Sequence, residues 1–189
     1  MLEEQELIVQ ILQGNQQAYA QIIDRYKSRL YAVLIKMVGQ PQDAQDMLQE
    51  VFIKIYYKLN EYSPTGKFSA WIYRIAINHC LDELRRRKRE LPNIPISDSD
   101  HPHDDTPEKL YLEKEQAAAF QKILLSLPED YRIVLLLRHS EQLSYREISE
   151  TLMIPVNTVQ VRLHRARKKF QECWLKRKEG GGVYEMYPL

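Results

Sequence analysis

The sequence predicts an all-α protein built as two small helical domains joined by a flexible acidic linker. Three observations carry that expectation. Apolar residues recur at i, i+3 and i+4 along most of the chain, and strict alternation is missing. The period breaks at 91–107 (LPNIPISDSDHPHDDTP), which holds four prolines and four aspartates. The length, 189 residues, suits one or two domains of ordinary size. The expected boundaries are a first helical domain at 1–90, the linker at 91–107, a second helical domain at 108–178 and a flexible tail at 179–189.

In chain order, Leu7, Ile8, Ile11 and Leu12 form a short apolar stripe that Gly14 ends as a C-terminal cap. Ala18, Tyr19, Ile22, Ile23, Tyr26, Leu30, Leu34 and Met37 form a longer one, closed by Gly39. Pro41 opens a third helix with Ala44, Met47, Leu48, Val51, Phe52, Ile55 and Leu59 inward. Past the turn residues Ser63-Pro64-Thr65-Gly66, a fourth helix runs from about Ser69 into the basic run 85–89. Thr106-Pro107 reads as the start of the second domain. Ser144-Tyr145-Arg146-Glu147 is a capping box, and Leu143 and Ile148 sit as a hydrophobic staple around it. That helix is expected to stop near Leu152, turn through Met153-Ile154-Pro155, and give way to a basic helix from about Val156 to Lys178. Helix, short turn and longer basic helix is the helix-turn-helix pattern.

Composition excludes several classes. At 44% hydrophobic and 28% charged residues the chain is too apolar for wholesale disorder. No apolar run approaches the roughly 18 residues that span a bilayer, and the acidic N-terminus argues against a secretory signal. Cys80 and Cys173 form no CxxC or Cys/His cluster, so neither a disulfide framework nor a metal site is expected, and a reducing cytoplasm is the natural home. His101 and His103 read as a solvated pair in the linker. The net charge of +1 hides a division: residues 1–91 carry +2, 92–115 carry −5 and 116–189 carry +4. Such asymmetry points to polyanion contact by part of the molecule.

The last helix divides as a groove reader must. Val156, Val159, Leu163, Ala166 and Phe170 fall on one stripe at 100° per residue. The opposite face holds Asn157, Val161, His164, Arg165 and Lys168, with Gln160 and Arg162 flanking. From 160 to 178 there are eight Lys or Arg against one Glu. Arginine bonds guanine edges bidentately, Gln and Asn pair with adenine, and Val touches the thymine methyl. Arg162, Lys168 and Lys169 are placed as phosphate anchors, which supply affinity with little sequence information. The DNA-facing set expected here is Thr158, Gln160, Val161, Arg162, His164, Arg165, Lys168 and Lys169.

On the fourth helix, Trp71, Arg74, Asn78, Asp82 and Arg85 share one side, next to Arg85, Arg86, Arg87, Lys88 and Arg89. Aromatic, guanidinium and amide groups beside a basic run suit unstacked bases and their backbone. A tryptophan at helical spacing is more often core, and Trp71 and Tyr73 are read so from the residues alone. On the third helix, Asp46, Gln49, Glu50, Ile53 and Tyr57 lie opposite the core face, apolar groups rimmed by polar ones, as on a docking surface.

Asp43-Ala44-Gln45-Asp46-Met47-Leu48-Gln49-Glu50-Val51-Phe52 resembles region 2.2 of the sigma-70 family. FSAWIYRIAINHCLDELRRRKR (68–89) resembles regions 2.3 and 2.4, and residues 127–170 resemble region 4. Two regions without a third domain between them resemble the extracytoplasmic-function group. The resemblance implies a non-enzymatic factor that binds core RNA polymerase and directs promoter-specific initiation. It implies that Asp46, Gln49, Glu50 and Ile53 dock on the β′ coiled coil and that the second domain sits on the β flap. The loop 63–69 and Asn78 would capture a flipped base of the single-stranded −10 element, Arg74 and the 85–89 run would hold its backbone, and the last helix would read the −35 duplex. The acidic linker would thread toward the RNA exit path. An anti-sigma factor is an implied partner; no cofactor or membrane insertion is implied. Asn157 stands where relatives commonly have Gly, and Val161 where a small hydroxyl residue is common, which would shift the preferred −35 bases.

Two other readings compete. A stand-alone helix-turn-helix regulator accounts for 116–178 but gives the 41–89 motifs no role. A recombinase or nuclease would need a nucleophile or clustered carboxylates, and Asp43 and Asp46 lack a third ligand.

Overall fold

The computed structural model describes residues 3–63, 67–90 and 108–179. Pro64–Gly66, the linker with His101, His103 and Thr106-Pro107, and the tail from 180 lie outside the described residues.

Asn15 starts the second helix with a side-chain cap. Its side-chain oxygen accepts from the amides of Gln17 at 3.0 Å and Ala18 at 3.2 Å, satisfying donors that an open helix end leaves bare. Between α1 (Glu4–Leu12) and α2 (Gln16–Val38), Gly14 takes φ +93°, and Gly39 ends α2 at φ +83° with its amide bonded to the Ile35 carbonyl at 2.8 Å. Left-handed backbone of this kind is where glycine costs least. Pro41 opens α3 (Pro41–Lys58), which runs into a single 3-10 turn at Leu59–Glu61; α4 follows at Phe68–Glu90.

These four helices form the first bundle. Leu7, Ile22, Leu30, Leu34, Ile55 and Ile72 are fully enclosed at its centre. Not every expected core position is fully buried: Tyr19 and Ile23 are half-buried on α2. Leu12 is 55% exposed, because the buried stripe of α1 is Leu7, Ile8 and Ile11 and Leu12 lies a further 100° around. Leu48 is only half-buried at the edge of the α3 stripe.

The second bundle comprises α5 (Glu108–Ser126), α6 (Glu129–His139), α7 (Tyr145–Leu152) and α8 (Val156–Glu179). The capping box is present: the Glu147 amide donates to Ser144 Oγ at 3.2 Å, and the Ser144 amide to the Glu147 carboxylate at 2.8 Å. Ile148 is buried and Leu143 packs against the core beside it. Met153 ends α7 in the left-handed region, φ 53°, and Thr158 and Val159 bond back to the Pro155 carbonyl to start α8.

The bundles are packed together. α2 lies against α5 and α6, α4 lies against α7, and one continuous apolar cluster runs through both. Arg132 of α6, 7% exposed, donates to the carbonyls of Leu124, Leu125 and Leu127 at the end of α5 and to Met37 of α2. A guanidinium buried this deeply is tolerable because four carbonyls take up its donors.

Candidate nucleic-acid interface

α8 is seated by Val159, Leu163, Ala166 and Phe170, each no more than 2% exposed. Phe170 stacks on Trp174 at 6.1 Å and meets Phe120 of α5 at 5.1 Å, which fixes the helix about its own axis. Val156, expected on the same stripe, is 38% exposed at the first turn, where no neighbouring helix covers it fully. With the seam fixed, Asn157, Gln160, Val161, His164, Arg165, Lys168 and Lys169 all face outward and are exposed. Thr158 is half-buried. Arg162 is half-buried too, with Nη2 2.9 Å from the Asp130 carboxylate at the start of α6.

On α4 the residues of the expected stripe part company. Trp71 turns inward, stacked on Phe68 at 5.6 Å and 17° and flanked by Tyr62 at 5.4 Å. Tyr73 is fully buried. Arg74 is half-buried, its Nη1 4.0 Å from Met153 Sδ, while Asn78, one turn on, is exposed. An open cleft of about 520 Å³ lies beside them, with Lys67, Trp71 and Arg74 on one wall and Glu150 of α7 and Met153 just past its end on the other.

The basic run is not uniform. Arg86 chelates Glu83 at 2.6 Å and Glu90 at 3.0 Å, and Arg87 bridges Glu83 and Asp43 of α3. Hydrogen bonds from Arg86 and then Arg87 hold the Glu83 carboxyl down at about 2. Arg85 reaches Asp82 at 3.4 Å, and Lys88 and Arg89 are exposed. Arg86 and Arg87 therefore also brace α4, and Arg87 ties it to α3. The sequence reading did not pair these arginines with Glu83 or Asp43, although Glu83 stands at i−3 and i−4 from them, a spacing that announces such pairs.

α3 presents Asp46, Gln49, Glu50 and Ile53 outward, Ile53 57% exposed. Tyr57 is 75% exposed on the same helix. Tyr56, which the sequence reading passed over, is exposed as well and meets the rings of Tyr19 at 5.0 Å and Tyr57 at 5.8 Å. Beneath this face His79 of α4 accepts from Lys54 at 2.6 Å and lies 3.0 Å from the Glu50 carboxylate. Burial, and then the Lys54 ammonium, push the imidazole below its ordinary range, so it stays neutral at pH 7.

Among the described residues there is no cluster of three His, Cys, Asp or Glu that would hold a metal ion, and no helix is long and apolar enough to cross a membrane.

Residues 22–90 match the family model for sigma-70 region 2, and residues 117–170 match that for sigma-70 region 4. The chain is 33% identical over 174 residues to the ECF RNA polymerase sigma factor SigW of Bacillus subtilis, covering 87% of this chain and 93% of that protein. It is 33% identical over 180 residues to the RNA polymerase sigma-H factor of Pseudomonas aeruginosa, covering 90% and 93%. Among solved structures it is similar to CnrH in complex with the cytosolic domain of CnrY, with a TM-score of 0.66 at 25% identity over 88% of this chain and 93% of that one.

Proposed function

This chain belongs to the extracytoplasmic-function group of the sigma-70 family, an alternative sigma factor for promoter-specific initiation, and on that premise we propose how its residues divide the work. α8 reads the −35 duplex: Arg165 and Gln160 meet base edges, Val161 meets a methyl group, and Arg162, Lys168 and Lys169 hold phosphates. Thr158 and His164 complete that face. Arg74, Asn78 and the loop 63–69 take the single-stranded −10 element, with Arg85, Lys88 and Arg89 along its backbone. Arg86 and Arg87 serve the strand through the same guanidinium groups that brace α4. Asp46, Gln49, Glu50 and Ile53, joined by Tyr57, dock on the β′ coiled coil of core RNA polymerase, and the second bundle on the β flap. The factor acts by binding and placing DNA, the chemistry being the polymerase's. The observation that supports this reading is the division of α8, an enclosed apolar seam opposite a row of exposed donors.

Control by an anti-sigma factor is part of the proposal; CnrH, to which the chain is similar, is seen with a protein partner, the cytosolic domain of CnrY. Such a partner would act in the cytoplasm on the α3 face and the second bundle, the two polymerase-binding surfaces.

A stand-alone helix-turn-helix regulator is the competing reading. Binding to purified core polymerase, followed by size exclusion, separates the two. The proposed function gives a stable complex with core and little duplex affinity for the free factor. Tight duplex binding without polymerase, and no complex with core, would support the regulator.

A further inference from the structure

Asparagine is one of the poorer helix formers, and at a helix start it usually serves as a cap. Asn15 does so on α2. Asn157 does not. It is the second residue of α8, and the amides of Thr158 and Val159 bond back to the Pro155 carbonyl without it. Its side chain is exposed and bonds to no other described residue. The fold therefore gains little from an amide at this position.

What the packing of α8 does fix is the direction in which that amide points. Val159, Leu163, Ala166 and Phe170 are enclosed, and Phe170 lies against both Phe120 and Trp174. Opposite that seam, at about 100° per residue, Asn157, Val161, His164 and Lys168 fall within about 60° of one another. All four are exposed, and α8 carries no acid before Glu172. A helix-turn-helix domain lays the N-terminal residues of its second helix against base edges in the major groove. Asn157 and Val161 are four residues apart, about 6 Å along the axis, against a base-pair rise of about 3.4 Å.

We propose that Asn157 is a base-reading residue that selects an adenine in the −35 element, about two base steps from the methyl group that Val161 meets. Nδ2 donates to adenine N7, and Oδ1 accepts from the N6 amino group. Of the four outward residues, only Asn157 carries a donor and an acceptor on one carbon, matching the neighbouring N6 and N7 of adenine. The proposal deepens the −35 reading of α8 and rests on it.

The test uses the complex of core polymerase with the full chain. Duplex libraries randomised over the two promoter elements are offered to that complex, and the retained DNA is sequenced. Wild type should enrich adenine at one −35 position, and Asn157→Ala should lose that preference by about 5- to 150-fold while keeping the others. Alanine at this exposed position favours the helix, so the variant stays folded. On the enriched sequence, 7-deazaadenine in place of that adenine removes N7. It should weaken the wild-type complex and leave that of Asn157→Ala unchanged, a difference that a structural role would not produce. A wild type without an adenine preference overturns the proposal. So does an Asn157→Ala that enriches the same bases or weakens every sequence alike; the −35 reading of α8 then stands if Arg165→Ala still alters one position. If Arg165→Ala alters none either, α8 does not read the −35 duplex and both fall.

Discussion

Arg162 Nη2 lies 2.9 Å from Asp130 Oδ2, so one of the cations on the reading helix is already engaged by its own domain. Arg165, three residues on, is exposed. The two arginines should therefore behave differently. Arg165→Ala should relax preference at particular −35 positions, by about 1–3 kcal/mol for a bidentate contact. Lys168→Ala should weaken all promoters alike and lower the salt slope by about 1. Arg162→Ala should also act uniformly but cost less than Lys168→Ala, because Asp130 competes for the guanidinium. Binding of the polymerase–factor complex to single-base promoter variants at several salt concentrations checks all three.

Trp71 and Asn78 separate folding from strand capture on one helix. Trp71 is buried and stacked on Phe68, so Trp71→Ala should destabilise the chain by about 3–5 kcal/mol in denaturant titration. Asn78 is exposed, and Asn78→Ala should change stability by less than about 0.5 kcal/mol. It should slow open-complex formation, followed by permanganate reactivity, more than it weakens polymerase binding. Equal loss of both would remove Asn78 from base capture.

Much of this architecture was legible in the residues. The helix periods, the glycine ends at Gly14 and Gly39, the capping box at Ser144 and the seam of α8 are local patterns that spacing reveals. The contacts between bundles were not legible, because they join residues far apart by side chains with no period. Glu141 lies 112 residues from Arg29 and 68 from Tyr73, and no local spacing marks the three as partners. Arg132 likewise carries no local signal of its partners, yet its guanidinium bonds carbonyls from both bundles. Five consecutive basic residues suggested a free cationic run; Glu83 and Asp43 show that tertiary neighbours decide which of those charges remain available.

The α3 face makes a prediction in which stability and function diverge. Ile53 and Tyr57 are 57% and 75% exposed, so Ile53→Asp and Tyr57→Asp should leave the melting temperature near that of wild type. Both should weaken the complex with core polymerase, read by size exclusion or surface plasmon resonance. A variant that melts normally and still binds core with wild-type affinity would remove that residue from the docking surface.

Acid stability follows from two carboxylates. Hydrogen bonds from Arg86 and Arg87 hold Glu83 at about 2, and the Lys67 ammonium with the Ser144 amide and hydroxyl hold Glu147 at about 2, each lowered from 4.5. A depressed folded-state pKa contributes stability that is present above the unfolded value and is lost as pH falls through the folded one. The melting temperature of wild type should therefore drop between about pH 4.5 and pH 2. Glu147→Gln should start lower at pH 7 and fall less steeply through that window. Ser144→Ala should cost about 1 kcal/mol from the lost cap.

Run-off transcription tests the central claim most directly. Bacterial core polymerase is incubated over fragmented genomic DNA from the organism that encodes this chain, with and without the protein. Discrete protein-dependent transcripts, whose upstream sequences align on two separated elements, are the expected result. No new transcripts, from a polymerase shown competent with another sigma factor, would contradict promoter-specific initiation by this chain.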